Sequence, residues 1–267
     1  MSSSRLAVVR VEVADAELAA DALWCRGATA IEERSGPDGA VELVAELSAL
    51  GSIDDLPWPV EIVEADDSWW DGWRPFARAV RAGDHLVVQP PWATHLPERV
   101  GDVVVLIDPG RAFGSGAHPS TLLALAALEA LVLPGSTVLD VGCGSGVLAV
   151  GAARLGAGRV VAIDIDPAAH EATLDNAARN RVAVEVSATP IGEVAGRFDV
   201  VVANLLAPTL VELAVPLGER VGEHGSLVVS GLLPQQSERV FAALAPLVVV
   251  GEAELDGWVA ATLAVSG

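Results

Sequence analysis

No lysine and no tyrosine occurs among the 267 residues; all 16 cations are arginine, and there are only two cysteines and one methionine. Cys25 and Cys143 give no disulfide framework and no metal-binding spacing. The five histidines are scattered without an H-x-x-x-H pair, so no metal site is expected. No apolar run reaches the roughly 18–20 residues of a membrane span. The start, Met1-Ser2-Ser3-Ser4-Arg5, leads into a strand-like alternation and not into the apolar core of a signal peptide. A soluble, cytoplasmic protein with no membrane partner is expected. Positive charge is scarce, and the net charge is -20. A surface this acidic repels phosphate backbones and attracts basic partners, which disfavours direct nucleic-acid binding and leaves a basic protein substrate open. Solubility alone is the other reading of that charge. The missing lysine and tyrosine, beside abundant Ala, Gly, Val and Arg, point to a bias of the coding sequence and carry no function.

What is present is apolar side chain, 52% of residues, enough for a sizeable core in one large domain or in a large domain with a small one. The chain is organised around V-L-D-V-G-C-G-S-G-V-L-A at 138–149 and V-A-I-D at 161–164: a strand, a glycine turn, a helix, and a second strand ending in a carboxylate. Glycines let the backbone bend sharply and approach a ligand without a Cβ in the way. A dinucleotide site wants G-x-G-x-x-G, its third glycine permitting close helix-strand packing. Here the order is Gly142-x-Gly144-x-Gly146, and Val147 stands where that glycine belongs, which disfavours a nicotinamide oxidoreductase. With Asp140 ahead of the turn, D-V-G-C-G-S-G resembles motif I of the class I S-adenosylmethionine methyltransferases. That resemblance implies Asp164 as the acceptor for the ribose hydroxyls.

The N-terminal stretch alternates as a strand over 6–13, then offers a helix opening at Asp15 and ending at Gly27, and strands over 28–33, 40–47 and 60–63. This is a small α+β pattern, a trimmed ferredoxin-like unit, without visible chemistry. The stretch 67–76, with Trp69, Trp70 and Trp73, reads as a linker whose tryptophans pack between domains. Strands at 86–88 and 103–107 are expected to form a hairpin leading into the second domain. Beyond them helices (119–133, to 155, 167–180, 208–221, 235–244) alternate with strands (137, 159–164, 182–186, 198–203, 226–230). Asp166 and Pro167 are an N-cap and a first-turn proline, and Asp256-Gly257 marks a terminal hairpin. Repeated strand-helix units require parallel pairing, hence an α/β, doubly wound, mostly parallel sheet, here of seven strands.

Two further stretches carry chemistry. D-P-G-R-A-F-G-S-G-A-H-P-S-T at 108–121 puts small residues, Phe113 and His118 ahead of a helix N-terminus, where free N–H groups and hydroxyls grip a polar ligand. Thr121 is a candidate for the cofactor's amino-acid end, Phe113 for a wall of the transfer pocket, and His118 for packing on the cofactor or orienting the loop. The plain alternative is that Ser120 and Thr121 cap the helix. In D-V-V-V-A-N-L-L-A at 199–207, Asn204 falls just beyond the carboxyl end of a parallel strand, facing the crevice. It resembles motif IV of amine-directed methyltransferases, but no Pro-Pro-Tyr or Pro-Pro-Phe follows, so the nucleic-acid version is not matched.

Taken together with V-V-A-I-D-I-D-P, G-S-L-V-V-S-G-L-L-P-Q-Q, the linker W-W-D-G-W-R-P-F and G-D-H-L-V-V-Q-P-P-W, these segments resemble the ribosomal protein L11 methyltransferase (PrmA) family. Ser115 and Ser120 stand where threonine is usual, and the first 64 residues match only in outline. The resemblance implies a small substrate-recognition domain over 1–64, a Trp-rich linker over 65–82 and a class I methyltransferase domain over 83–267. It implies S-adenosylmethionine held by Thr121, Gly142, Gly144, Asp164 and Asn204, with Phe113 and His118 at the substrate pocket and Asn204 positioning the amine. Lysine ε-amino and N-terminal α-amino groups of a basic ribosomal protein are the expected acceptors, and a monomer is expected. The alternatives are a related enzyme acting on another protein, such as an electron-transfer flavoprotein subunit, and a non-catalytic cofactor-binding module. Intact Asp164 and Asn204 argue against the latter.

Overall fold

The computed structural model describes residues 4–26, 28, 31–47, 50–65, 78–93, 99–108 and 116–265. The chain divides into two compact units, Met1–Pro75 and Phe76–Gly267. The tryptophan cluster at 69–73 lies outside the described residues.

In the first unit, β1 (Ser4–Val11), α1 (Ala16–Cys25), β2 (Glu32–Ser35), β3 (Val41–Glu46) and β4 (Val60–Ala65) follow one another. The strands make an antiparallel sheet in the order β2-β3-β1-β4. Period-two alternation sends Val9, Val11, Leu43 and Ala45 to the face where Ala16, Ala19 and Leu23 of α1 pack, and Leu6, Val8 and Val44 to the other. Strand β2 starts later than 28 because the tight turn at Pro37–Gly39 sets its register, with Ser35 opposite Val41. The stretch from Ile53 to Leu56 is a turn between β3 and β4.

The second unit begins with a three-stranded sheet, β5 (Val80–Ala82), β6 (Leu86–Gln89) and β7 (Val103–Leu106). Here the expected hairpin is corrected: β6 and β7 run parallel, and β6 makes its hairpin with β5. The connection over 90–102 has the dozen or so residues that a parallel crossover needs, whereas Gly83, at φ +68, closes the tight β5-β6 turn. The main sheet contains β8 (Thr137–Val141), β9 (Arg159–Ile163), β10 (Glu185–Ser187), β11 (Phe198–Asn204), β12 (Val221–Leu232), β13 (Val248–Leu255) and β14 (Trp258–Ala264). Their order is β10-β9-β8-β11-β12-β14-β13, with β14 antiparallel to both neighbours and the rest parallel. Asp256 and Gly257, both at positive φ, form the β13-β14 turn.

Helices cover both faces, as a buried parallel sheet requires. On one side α2 (Pro119–Leu131), α3 (Val147–Arg154) and α4 (Pro167–Asn180) meet Val138, Ala162, Val200, Val202 and Val228. On the other, α5 (Ala207–Glu212), α6 (Ala214–Arg220) and α7 (Pro234–Ala243) meet Leu139, Val141, Val201, Ala203 and Leu227. The single helix expected over 208–221 is broken at Leu213. No helix among the described residues is long and apolar enough to cross a membrane.

Glu129 of α2 joins the small sheet to the main body: its carboxylate accepts the Asp84 and His85 N–H groups, both at 2.7 Å. A Cβ at Gly83 would stand 2.0 Å from that carboxylate, so the turn and the acid are shaped to each other. Glu129→Ala leaves two donors to water and should cost about 1–3 kcal/mol. Calorimetry should register this as a lowered Tm, by about 2–4 °C per kcal/mol for a unit of this size.

Candidate active site

Three parallel strands end level. Val141 pairs with Ile163 on one side and with Ala203 on the other, so Asp164, Gly142 and Asn204, each one residue further on, form a row along the carboxyl edge of the sheet. The glycine turn leaves β8 there. Gly142, Gly144 and Gly146 all have positive φ, at 75°, 52° and 76°. The turn is also closely packed, since a Cβ on Gly142 would lie 2.4 Å from Leu205 and one on Gly146 2.7 Å from Thr173. Val147 is buried in the core and packs near Gly116, so the close approach a dinucleotide motif reserves for its third glycine is made differently here.

Hydrogen bonds fix the turn from both ends. Gly142 and Cys143 donate to the Ile163 carbonyl, and the Gly144 N–H donates to Asp164 Oδ2 at 2.9 Å. Asp164 Oδ1 accepts the Asp166 N–H at 3.0 Å, while Asp166 itself caps α4 through the Ala168 N–H. The Asp164 carboxylate is thus held at two points and remains partly exposed. Each of its oxygens keeps a lone pair for a ligand hydroxyl. Glycines without a Cβ, facing a partly exposed carboxylate one strand away, suit a nucleoside-bearing cofactor such as S-adenosylmethionine. The Cys143 thiol points into the core, and burial pushes it up to about 12, so it is no nucleophile at neutral pH.

Across the row, Asn204 Nδ2 donates to Thr121 Oγ1 at 3.2 Å, which joins β11 to the first turn of α2. Thr121 is buried, and Ser120 behind it is held through its carbonyl by Ser230 at 2.8 Å. Asn204 Oδ1 lies against Gly231, where a Cβ would come within 2.9 Å. His118 is the N-cap of α2: its Nδ1 accepts the Ser120 N–H at 3.3 Å and meets Ser120 Oγ at 2.8 Å. Its ring stands edge-to-face on Trp258, with centroids 4.6 Å apart, and burial lowers its pKa, which favours neutral imidazole. The structure therefore brings Thr121, Gly142, Gly144, Asp164 and Asn204 to one edge and gives His118 a capping role beside them. Phe113 lies outside the described residues.

Residues that the sequence reading passed over also shape the site. Thr173 donates to the Gly144 carbonyl at 3.1 Å, Asn176 to the Ser145 carbonyl at 2.9 Å, and Asn180 to the Leu106 carbonyl at 2.6 Å. All three are buried. The available signal was their spacing: polar residues three and four apart share one face of a helix, here the face turned to the core.

The profile of the family described as Ribosomal protein L11 methyltransferase (PrmA) matches residues 11–265. The ribosomal protein L11 methyltransferase of Symbiobacterium thermophilum is 44% identical over 214 residues, covering 79% of this chain and 69% of the relative. That of Geobacter sulfurreducens is 47% identical over 181 residues, covering 68% and 60%. The crystal structure of ribosomal protein L11 methylase from Lactobacillus delbrueckii subsp. bulgaricus superposes with a TM-score of 0.66 at 31% identity, over 71% of this chain and all of that one. Precorrin-6y C5,15-methyltransferase from Geobacter metallireducens, at 17% identity and a TM-score of 0.51, shares the fold.

Asp140 is the most costly residue of the site. It is fully buried on β8, its Oδ2 accepts the Ala149 N–H of α3 at 3.0 Å, and its Oδ1 has no partner. It serves as the cap that Gly146 cannot supply. Burial pushes it up to about 7, against the Ala149 N–H and with help from nearby Asp164. Folding therefore favours its protonated form, and its contribution to stability is full below its ordinary value of 3.8 and lost as pH rises towards 7. Asp140→Asn should remove that slope. The check is a series of cofactor-free thermal melts between pH 4 and 7, in which the difference between wild type and variant should change steadily with pH.

Proposed function

The chain belongs to the ribosomal protein L11 methyltransferase (PrmA) family and takes S-adenosylmethionine as its cofactor, and we propose that it methylates lysine ε-amino and N-terminal α-amino groups of ribosomal protein L11. The observation that carries this reading is the Asn204–Thr121 pair, set level with the glycine turn and Asp164. The family match favours this reading over the oxidoreductase, the flavoprotein-directed enzyme and the silent binding module.

When bound, the cofactor supplies an electrophilic methyl group on a sulfonium. Asp164 would accept its ribose hydroxyls, Gly142 and Gly144 would let it lie close to the backbone, and Thr121 would meet its amino-acid end. Asn204 turns its Nδ2 to Thr121, which leaves Oδ1 as the acceptor for a substrate N–H. The incoming amine must be neutral. With a free lysine pKa of about 10.4, roughly one molecule in a few thousand is neutral at pH 7. Desolvation in a closed site favours that form, and no dedicated base is required. Fixing two reactants in line supplies about 7–11 kcal/mol, more than one hydrogen bond can. Asn204 is therefore assigned orientation, not proton abstraction.

The first unit, with the strand order of a ferredoxin-like module and no α-helix between β3 and β4 among the described residues, is read as the substrate-recognition domain. A cytoplasmic monomer acting on a basic ribosomal protein is consistent with the charge of -20.

Incubation with labelled S-adenosylmethionine and recombinant ribosomal protein L11, read by intact mass, should give gains in multiples of one methyl. Asn204→Ala should lower the rate about a hundredfold or more, as loss of a positioned contact does. An unmodified substrate beside bound cofactor would sink the L11 assignment. If the acidic surface steers the substrate, the rate at low substrate concentration should fall as salt rises, since screening shortens the reach of the field to about 8 Å at physiological ionic strength. A flat salt response would assign the charge to solubility.

A further inference from the structure

Asn176 is 0% exposed, so it has no access to a ligand at the carboxyl edge. It nevertheless commits its whole amide to Ser145 of the glycine turn, Asp108 and Arg179. Nδ2 donates to the Ser145 carbonyl of the glycine turn at 2.9 Å and to the Asp108 carbonyl at 2.8 Å. Oδ1 accepts the Asp108 N–H at 2.9 Å and the Arg179 guanidinium. Asp108 follows β7 and opens the stretch of sequence that ends at Thr121. One side chain on α4 therefore ties the glycine turn to the chain leading to the other half of the site.

Asn180, one helical turn on, provides a comparison within the same molecule. It grips Leu106 in the same fork, accepting its N–H at 2.8 Å and donating to its carbonyl at 2.6 Å, but it makes no bond to the glycine turn. Both amides fasten β7 to α4. Only Asn176 also fixes the Ser145 carbonyl, and with it the peptide plane between Ser145 and Gly146. Without that donor the carbonyl loses a buried hydrogen bond, and Gly146, at positive φ, lets the plane turn. Thr173 holds the preceding carbonyl, so rotation would be confined to this plane.

We infer that Asn176 is a positioning residue for cofactor binding, holding the glycine turn and Asp108 at one fixed spacing, so that affinity for S-adenosylmethionine depends on a side chain that never touches it. This rests on the cofactor assignment made above. The arrangement also separates two roles of one helix face: Asn180 stabilises, while Asn176 stabilises and positions.

The test uses the full chain with S-adenosylhomocysteine as the probe, titrated by calorimetry into wild type, Asn176→Ala and Asn180→Ala, with Tm measured for each. Both variants should melt lower. Asn176→Ala should weaken binding about tenfold or more, while Asn180→Ala stays within about threefold of wild type, the difference being the bond to the turn. KM for S-adenosylmethionine should rise in Asn176→Ala by a factor like that in Kd, with a smaller change in kcat. Should Asn176→Ala fail to fold, Asn176→Asp is read against the same criterion. It keeps the acceptor for the Asp108 N–H and Arg179 and loses both donors. Equal weakening in the Asn176 and Asn180 variants, or wild-type affinity in the Asn176 variant, would overturn the inference alone. A wild-type protein that binds no S-adenosylhomocysteine would overturn the cofactor assignment and the inference with it.

Discussion

The site depends on one register: Ile163, Val141 and Ala203 side by side at the end of a parallel sheet. Hydrogen bonding between neighbouring strands fixes this alignment, and the apolar residues on both faces prevent slippage, because a shift by one residue would turn Asp140 and the valines to the wrong sides. Once the ends are level, Asp164, Gly142 and Asn204 need no further device to face the same space. A carboxylate, an open stretch of backbone and an amide then lie in a row, Asn204 as the last residue of β11 and Gly142 and Asp164 one residue past β8 and β9. Chemistry placed there rests on rigid elements, which hold geometry better than loops do.

Polar groups inside the second unit are the cost of keeping that edge in order. Asp140 is buried with one oxygen unpartnered, a state that costs free energy and raises its proton affinity. What it provides in return is a cap for α3 at a point where glycine must occupy the N-cap position for the turn to form. Thr173, Asn176 and Asn180 pay no such penalty, because each finds backbone partners. The buried face of α4 thus works as a polar seam against the end of β7 and the turn, where an apolar face would take one donor from each of the Gly144 and Ser145 carbonyls.

Much of this was legible in the sequence, for local reasons. The Asp166-Pro167 cap, the Asp256-Gly257 turn and the strand-helix alternation each follow from residues a few positions apart, and the structure contains all three. The glycine turn with Asp140 and Asp164 was equally plain, since its spacing is itself the signal. Features set by distant contacts were not. Parallel pairing of β6 and β7 depends on where a 90–102 connection returns the chain, and nothing in either strand distinguishes it from a hairpin. His118 reads as packing on the cofactor or orienting the loop, but its ring contact with Trp258 joins residues far apart in the chain and has no local signal. The roles of Asn176 and Asn180 require β7 as a partner, more than sixty positions earlier by sequence numbering.

Charge and chemistry meet in the absence of lysine. On the amine chemistry proposed for it, a chain without lysine offers no side-chain amine to compete with the substrate. Its arginines remain charged at neutral pH and are poor nucleophiles. The net charge of -20, which remains after the 16 arginines are counted, would attract substrate ammonium groups on that reading. Such a field raises encounter rates and falls off over a Debye length, but it does not choose one amine among many and it favours the protonated, unreactive form. On the proposed reading, selection among amines falls to short-range contacts: the acidic exterior gathers cations, and Asn204 at the edge of the sheet accepts the N–H of an amine that has lost its proton.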